Sequence, residues 1–513
     1  MKIKNSTIRL ASLFVLVMVL AVLLLQWVTV NGIGVSPDSI TYIETANSLI
    51  TGNGFYANGK PLTHYPPVYP LILAAVGFIN QDVTTAARCL HAFLYGINAF
   101  LFGLCVYKAT RRSVAALIIS ILLFFSSSAL LSVHARAWSE SPFLFFILIT
   151  FLLLSLFHAR GRWSHLVWAA IATGLAMATR YAGIAIVPPV ILCLWLCSPH
   201  TVKKKVLETL AFLALASIPM LAWIIRNLVI TSALTDRGLA YHPFDAGSVV
   251  KLVDTLHNFI LPHFAEGWLN ALELAIIGVI LAGMLSSILK DAAKSGRELA
   301  ERPFQILFGY AAAFSYLLVL MLTIAFIDAG TPLDDRLLFP VFILLTISGF
   351  ATVHQYTNIK KKPVVWMIFL ACVVFSIRVN LNPLIETATK LHTSGKGFNS
   401  VAWNESPTLA TLRTYPPDVL VYSNGDDVIR YKTGYSAIAL PALYSAMSME
   451  PNEAYPEDMN KMCAKLENER ALFVYLNEIT RDYYPSKDEA LSACPLPLLH
   501  QAGDGSIYGF INP

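Results

Sequence analysis

The sequence predicts an α-helical polytopic membrane protein with a small exterior α/β domain at its C-terminal end. Of the 513 residues, 56% are hydrophobic and 13% are charged, whereas a soluble globular chain carries about 25% charged residues. The apolar residues are clustered in runs long enough to cross a bilayer, which takes around 20 residues per helix. From residue 381 onward the chain returns to ordinary soluble sequence, and this change indicates a second domain.

The apolar runs predict eleven membrane spans. They lie at residues 10–30, 83–107, 114–131, 140–157, 164–180, 182–197, 206–228, 270–289, 303–327, 337–355 and 363–379. The first run lacks a small-residue cleavage site, so we interpret it as a retained helix and not as a signal peptide. We therefore predict a transmembrane domain over residues 1–380 and an exterior domain over residues 381–513.

Lysine and arginine in the short loops predict the orientation, because cytoplasmic loops are enriched in these residues. The basic loops include those with Lys108, Arg111 and Arg112, with Arg160 and Arg162, and with Lys203, Lys204 and Lys205. They alternate correctly across eleven spans, so the N-terminus is predicted to be cytoplasmic and the C-terminal domain periplasmic or extracellular. The expected location is the inner (plasma) membrane. The net charge of +5 follows this topology and does not indicate a nucleic-acid partner.

The first exterior loop, residues 31–82, has a pattern of its own. Within 37–50, Ile40, Ile43 and Ala46 recur at helical spacing, while Asp38 and Tyr42 share the other face. This pattern is typical of a helix lying along the membrane interface. The run "HYPPVYPLILAAVGFI" (64–79) follows a Pro-Pro break and is short for a span, which favours a second interfacial or re-entrant segment.

The C-terminal domain alternates predicted strands and helices. The strands are "DVLVYSN" (418–424), "ALFVYLN" (471–477) and "SIYGFI" (506–511), and residues 456–469 are predicted to be helical. Cys463 and Cys494 are the two cysteines of this domain. We predict that they pair as a disulfide, because an exterior compartment is oxidising.

Four arginines lie at the exterior ends of predicted spans, where positive-inside bias should deplete them: Arg136, Arg180, Arg226 and Arg336. Charged groups at membrane depth are costly and usually face a cavity or a partner. A cationic pocket of this kind suits an anionic ligand such as phosphate. Each residue also has a structural interpretation. Arg136 and Arg226 could extend to lipid headgroups, and Asp38 could be a helix-start residue that favours the helix dipole.

Several motifs together resemble the GT-C superfamily of membrane glycosyltransferases. They are "PDSITYIETANSLITGNGF" and "HYPPVYPLILA" in the first loop, then "ATRYAG", "AWIIRN" and "DDRLLFPVFILL". The likeness is to bacterial members related to protein O-mannosyltransferases and aminoarabinose transferases, of glycosyltransferase family 39. It covers about residues 8–355, and the order, spacing and common sidedness of the motifs carry it.

The resemblance implies a sugar donor carried on polyprenyl phosphate and an acceptor hydroxyl. Asp38 would be the general base, and Arg336, with Arg226 or Arg180, would stabilise the phosphate leaving group, with Arg136 in the same cationic pocket. The further predicted substrate contacts are Tyr42, His64, Tyr65, Glu140 and Asp335. Aminoarabinose transferases carry a lysine before Pro-Pro where this chain has Tyr65, which argues against that substrate. We predict no cofactor, although the sequence leaves a divalent metal open.

Two other functions are compatible with parts of the pattern. A transporter or flippase for an anionic lipid or solute would place polar residues near mid-span and often show two related halves, whereas these spans are apolar through their centres. A membrane scaffold that presents the C-terminal domain would make the arginine clustering incidental. The sequence identifies neither the sugar nor the acceptor, which is a glycan, a lipid or a protein.

Overall fold

The structure, a computed structural model, describes residues 5–80, 82–235, 238, 240–242, 246–260, 304–356 and 363–511. A bundle of apolar helices is followed by a small mixed β-sheet with helices. The predicted span at 270–289 lies outside the described residues.

The first part of the bundle contains α1 (Asn5–Val28), α2 (Pro37–Ile50), α3 (Val68–Asn80), α4 (Val83–Ala109), α5 (Val114–Ser126), α6 (Ser128–His134), α7 (Glu140–Arg160) and α8 (Trp163–Thr179). A 3₁₀ helix (Tyr181–Ile186) leads into α9 (Val187–Leu196), and then come α10 (Val202–Thr231), α11 (Ala246–Ile260), α12 (Phe304–Phe326), α13 (Asp335–Tyr356) and α14 (Pro363–Ser394). A two-residue hairpin, β1 (Tyr56–Ala57) with β2 (Lys60–Pro61), lies between α2 and α3.

By length and composition, seven helices of the described residues can cross a membrane, or eight if α5 and α6, which meet at 70°, form one bent span. The predicted spans at 164–180 and 182–197 are present as shorter helices. Between them the chain folds back on itself. A Cβ on Gly183 would lie 2.7 Å from backbone atoms of Ala176 and Met177. Seven residues along a straight helix would be about 10 Å apart. The sharp turn predicted at "ATRYAG" is therefore present.

The first loop and the C-terminal domain share one hydrophobic core. The apolar face of α2, formed by Ile40, Ile43 and Ala46, packs in a cluster that includes Val428 and Ile429 of the C-terminal domain. In the predicted interfacial helix this face would lie against lipid. It meets protein instead, because the C-terminal domain folds over the first loop and buries the same apolar stripe.

The C-terminal domain is a five-stranded sheet with the order β4-β3-β5-β7-β6. Its strands are β3 (Leu420–Ser423), β4 (Ala437–Ala439), β5 (Ala471–Leu476), β6 (Leu498–Ala502) and β7 (Gly505–Gly509). Strands β3, β4 and β5 are parallel, and β7 is antiparallel to both β5 and β6. Five helices of the described residues complete the domain: α15 (Val401–Asn404), α16 (Pro407–Leu412), α17 (Asp426–Thr433), α18 (Tyr455–Asn468) and α19 (Lys487–Ala493).

Two details of this region differ from expectation or stay untested. Helix α14 continues without a break through residue 380, so the predicted domain boundary falls inside a helix that carries the chain from the bundle to the sheet. Cys463 and Cys494 are present as neighbouring thiols. Burial and the adjacent Cys463 raise the pKa of the Cys494 thiol. Their disulfide stays a prediction.

Candidate active site

Asp38 lies in the first turn of α2, but it does not cap that helix. Ser36 is the N-cap and accepts a hydrogen bond from the backbone N–H of Ser39 at 3.4 Å, and Pro37 occupies the first helical position, where its fixed φ suits a helix start. The Asp38 carboxylate is therefore not needed for capping. It turns instead toward two side chains from distant parts of the chain, Arg336 and Tyr65.

Arg336 reaches Asp38 from the start of α13. Asp334 precedes this helix and accepts the backbone N–H of Leu337 at 3.3 Å, so one acid of the "DDR" motif caps the helix. Arg336 is the second residue of α13, and its Nη2 lies 2.5 Å from Asp38 Oδ2. Its Nε donates to Glu140 Oε1. One guanidinium therefore joins the carboxylates of α2 and α7.

The connection between α6 and α7, "HARAWSE", is fixed next to the start of α2. The Gly34 N–H donates to Ala135 O at 2.9 Å, and the Ala137 N–H donates to Gly34 O at 2.9 Å. A Cβ on Gly34 would lie 2.9 Å from Arg136 Cγ, so this approach requires glycine. The Trp138 Nε1–H donates to Ser36 Oγ at 2.8 Å. These contacts set the N-terminus of α7 beside Asp38.

Glu140 binds two arginines of the site, Arg180 and Arg336. Its side chain is 1% exposed, lies 2.6 Å from Arg180 Nη1 and also binds Arg336. Arg180 Nη1 also donates to Ser139 Oγ at 3.0 Å. A carboxylate shared by two guanidiniums is a charge-assisted arrangement with strong directionality. It fixes Arg180 and Arg336 side by side.

Trp138 contributes a second support for Arg336. The Arg336 guanidinium carbon lies 4.1 Å from the Trp138 ring centroid, and that of Arg136 lies 4.3 Å from the same ring. Cation–π contacts of this kind contribute about 0.5–2 kcal/mol. Burial and the neighbouring Arg336 lower the pKa of Arg136 to about 10.

Three aromatic residues of the first loop surround the carboxylate. The Tyr65 hydroxyl donates to Asp38 Oδ1 at 2.8 Å, and its ring packs against His64 with centroids 4.5 Å apart. The Tyr42 hydroxyl pairs with Ser139 Oγ at 3.3 Å and not with Asp38, although the helical spacing placed it on the Asp38 face. Tyr65, the residue that departs from the aminoarabinose transferase pattern, is therefore the one that contacts the carboxylate.

The charge state of Asp38 follows from these contacts. Burial alone would raise its pKa, but the Arg336 guanidinium and the Tyr65 hydroxyl lower it below the ordinary value for aspartate. Burial and the Asp38 carboxylate raise the pKa of Tyr65, so that hydroxyl remains protonated and can donate. In this state Asp38 is an ionised carboxylate held by a cation.

A cavity of about 880 Å³ opens next to this cluster. Its lining includes the polar side chains of Asp38, Tyr42, His64, Tyr65, Ser139, Arg180 and Arg336, and the apolar side chains of Met177, Ile184, Met220, Ile224, Leu320 and Leu337. The turn between α12 and α13, with Asp328 and Thr331, also lines it. That turn is bound by the C-terminal domain, because the Ala329 N–H donates to Met447 O at 3.0 Å. The cavity therefore combines a charged cluster with a wall of apolar side chains.

Besides Glu140, three predicted site residues do not line the cavity. Arg226 donates to the backbone oxygens of Leu62 and Phe55, at 2.5 and 2.9 Å, and stacks over Trp223. It holds the first loop and does not line the cavity, and neither does Arg136. Asp335 is exposed at the first position of α13 and is also absent from the lining. Their contacts with substrate stay predictions without support from this geometry.

Trp138 and Ser139 are not among the site residues predicted from the sequence. Both lie in "HARAWSE" (134–140) between Arg136 and Glu140, which are, so a signal was present in the sequence. Within the part of the chain that the structure describes, no group of three or more His, Cys, Asp and Glu residues could hold a metal ion. The predicted independence of a metal remains untested.

Comparisons with known proteins find similarity in part of the sequence and in the fold. Residues 64–223 match the family model described as dolichyl-phosphate-mannose-protein mannosyltransferase. ArnT from Cupriavidus metallidurans, in the structure bound to undecaprenyl phosphate, is similar with a TM-score of 0.60 at 12% identity, over 96% of this chain and 97% of that one. Its apo structure gives 0.56 at 14% identity, over 97% and 98%. A search of curated protein sequences finds no match.

The fold similarity extends over nearly the whole length of both chains, and the family model covers the segment that carries "HARAWSE" and "ATRYAG". At such low identity the structural likeness concerns the fold. The chain therefore contains a segment similar to dolichyl-phosphate-mannose-protein mannosyltransferases, within a fold similar to that of ArnT.

Proposed function

We propose that the chain is an inverting glycosyltransferase that moves a sugar from a polyprenyl-phosphate donor to an acceptor hydroxyl at the exterior membrane face. The observation that carries this proposal is a cavity whose lining includes both the Asp38–Arg336 pair and a wall of apolar side chains. A lipid-linked sugar has the same two parts, a charged head and an isoprenoid chain. The undecaprenyl phosphate in the ArnT structure gives a lipid phosphate of this class as a ligand of that protein.

The donor phosphate binds Arg336 and Arg180. Both side chains line the cavity and are oriented by Glu140 on the side away from it. Guanidinium groups offer planar paired donors that match phosphate oxygens. When the glycosidic bond breaks, negative charge grows on the phosphate, and preorganised donors stabilise that charge in the transition state. The arginines therefore supply the positive charge of the reaction, and we propose no cofactor.

Phosphate binding also frees the base. Without substrate, Arg336 is the main cation that lowers the pKa of Asp38. A phosphate on Arg336 competes for the same guanidinium and adds a negative charge near the carboxylate. Both effects raise the pKa of Asp38 toward the working pH, where a general base is most effective. The donor thus prepares the carboxylate to accept a proton.

In the transfer step, Asp38 takes the proton of the acceptor hydroxyl. The acceptor oxygen forms a bond to the anomeric carbon as the bond from that carbon to the phosphate oxygen breaks, and polyprenyl phosphate leaves with the electron pair. Attack opposite the leaving group inverts the anomeric configuration. The acceptor is a glycan, a lipid or a protein. We propose that the C-terminal domain contacts it, because this domain binds the turn at Ala329 that borders the cavity.

Reconstituted protein tests this function. Proteoliposomes are supplied with polyprenyl-phosphate sugars, and both the loss of the donor and the appearance of free polyprenyl phosphate are measured. The proposal expects cleavage of the donor that increases with a suitable acceptor. Movement of an intact donor between leaflets without cleavage would instead support the flippase alternative.

Glu140→Gln is expected to reduce transfer about 10–100-fold. Glutamine keeps the shape but removes the charge that orients two guanidiniums, and a hydrogen bond to a charged group contributes about 1.5–3 kcal/mol. The rate and donor affinity of purified variants check this. Glu208→Gln is the matched control, because Glu208 is also buried, lies 2.8 Å from His200 Nδ1 and does not line the cavity. Equal rates in both variants would contradict the role of Glu140.

The orientation is tested by labelling single cysteines introduced into a background without native cysteines. Glu467 is exposed on α18 and Arg162 is exposed between α7 and α8. We expect a membrane-impermeant thiol reagent to modify Glu467→Cys in intact cells and Arg162→Cys after permeabilisation alone, because basic loops are retained in the cytoplasm. The opposite pattern would invert the topology and place the cavity on the cytoplasmic face.

A further inference from the structure

A second cavity, of about 360 Å³, lies between the ends of α4 and α7 and the start of α12. Its lining includes Lys108, Arg111, Arg112, Ser155, His158 and Gln305. Neither the sequence motifs nor the proposed reaction uses these residues.

Helix α7 shows how this cavity is placed relative to the active site. Glu140, the first residue of α7, binds the active-site arginines, and His158 is in the last turn of the same helix. A straight helix of 21 residues is about 30 Å long, close to the hydrocarbon thickness of a bilayer. The second cavity therefore lies at the opposite membrane face, at the depth of the headgroups.

The cations of this cavity have no anionic partner in the described residues. None of the ion pairs among the described residues includes Lys108, Arg111 or Arg112. The arginines of the active site, in contrast, bind carboxylates. Three like charges around one concave space repel one another, and an anion between them would relieve that repulsion.

Uncharged donors complete the lining. The His158 Nε2 is buried and has no hydrogen-bond partner within the described part of the chain, although buried polar atoms are nearly always paired. Gln305 Nε2 and Ser155 Oγ lie 3.1 Å apart at the same wall. No carboxylate of the described residues lines the cavity. The buried Glu208 pairs with His200 outside it.

The backbone that carries the two arginines is unusual. Arg111 and Arg112 have φ values of 50° and 68°, in the left-handed region that favours glycine. The Arg112 N–H donates to Tyr107 O at 2.8 Å and ends α4. The turn therefore places two long cationic side chains where a helix end most often has glycine. Cytoplasmic enrichment explains why cations occur on this face, but Arg160, Arg162 and Lys203 share the face without lining the cavity.

We propose that this cavity binds the phosphate of an anionic phospholipid headgroup in the leaflet opposite the active site. Lys108, Arg111 and Arg112 supply the charge, and Ser155, His158 and Gln305 supply hydrogen bonds. Basic pockets between membrane helices recognise phosphate headgroups by this chemistry. Inorganic phosphate shares the chemistry, and the experiment separates the two sources. The inference does not depend on the proposed reaction.

The test compares melting temperatures of detergent-purified protein during titration with dioctanoyl phosphatidylglycerol, dioctanoyl phosphatidylcholine or inorganic phosphate. The cavity variant combines Lys108→Gln, Arg111→Gln and Arg112→Gln. The control combines Arg160→Gln, Arg162→Gln and Lys203→Gln, which removes the same number of charges from the same face. Phosphatidylglycerol is expected to stabilise the wild type and the control, and to bind the cavity variant at least about tenfold more weakly.

The other outcomes are also decisive. A saturable shift with inorganic phosphate alone, lost in the cavity variant, would assign the site to free phosphate instead of a headgroup. Equal stabilisation of all three proteins by phosphatidylglycerol would overturn the proposal. If the triple variant does not fold, native mass spectrometry of the single variants Arg112→Gln and Arg162→Gln decides. Arg112→Gln is expected to retain less phosphatidylglycerol, and equal retention would refute the site.

Discussion

Asp38→Asn is expected to lower the rate of sugar transfer about 10²–10⁴-fold, which is the usual contribution of a general base. Asparagine keeps the size of the side chain and can still accept the Tyr65 hydroxyl, but it cannot take a proton from the acceptor. The helix should form normally, since Ser36 caps α2. Arg336 retains Glu140 as a partner, so its charge stays compensated. The measurement is turnover of purified variant with lipid-linked sugar, together with its melting temperature and donor affinity.

Asp335→Asn is the matched control for this change. Asp335 is an aspartate in the first turn of another helix, but it is exposed and does not line the cavity. Loss of a helix-dipole contact at either position costs at most about 1 kcal/mol of stability, and near-normal turnover is expected from Asp335→Asn. A folded, donor-binding Asp38→Asn with near-normal turnover would return Asp38 to the role of a helix-start residue.

Arg336→Ala is expected to lower transfer about 10²–10³-fold, because removal of one preorganised donor to a developing anion has this effect. Arg336→Lys should restore part of the rate, since lysine keeps the charge but loses the planar pair of donors. A second readout concerns pH. Without the guanidinium, burial raises the pKa of Asp38, so the acidic limb of the residual rate should move to higher pH. The measurement is the pH profile of transfer for the three proteins.

Arg226→Ala distinguishes the two arginines that the sequence motifs offered. Arg226 binds the carbonyl groups of the first loop. Its loss should therefore mainly lower the melting temperature and have a smaller effect on the rate of the chemical step. A wild-type rate in Arg336→Ala combined with a large loss in Arg226→Ala would move the phosphate site to Arg226 and contradict the assignment made here.

Much of the fold was predictable because its signals are local. Apolar runs, capping residues and the Pro-Pro break act over a few residues, and they correctly indicated the membrane class, the helix over 37–50 and three strands of the C-terminal sheet. The end of α14 was not predictable in this way. Its polar second half resembles soluble sequence and contains Pro383, which usually breaks a helix, yet the helix continues to Ser394.

The candidate site was only partly predictable. Asp38, Arg180 and Arg336 were identified by motif and sidedness, and the structure brings them to one cavity. The tyrosine partner of Asp38 was not identified, because a helical period placed Tyr42 on the right face but could not show the loop that returns Tyr65 to the carboxylate. Glu140 was expected at the substrate; it binds Arg180 and Arg336 and does not line the cavity, so its contact with substrate stays a prediction.

By itself the sequence determined which side chains have the chemistry of the site, because residue type and local periodicity are written in the chain. It also determined that they occur at the ends of helices on one predicted face. Only the tertiary structure decided which side chains bind one another. Asp38 and Arg336 are 298 residues apart in the chain, and Arg336 and Glu140 are 196 apart. Such pairs depend on how helices pack and where loops close, and no local pattern encodes a distance between two helices.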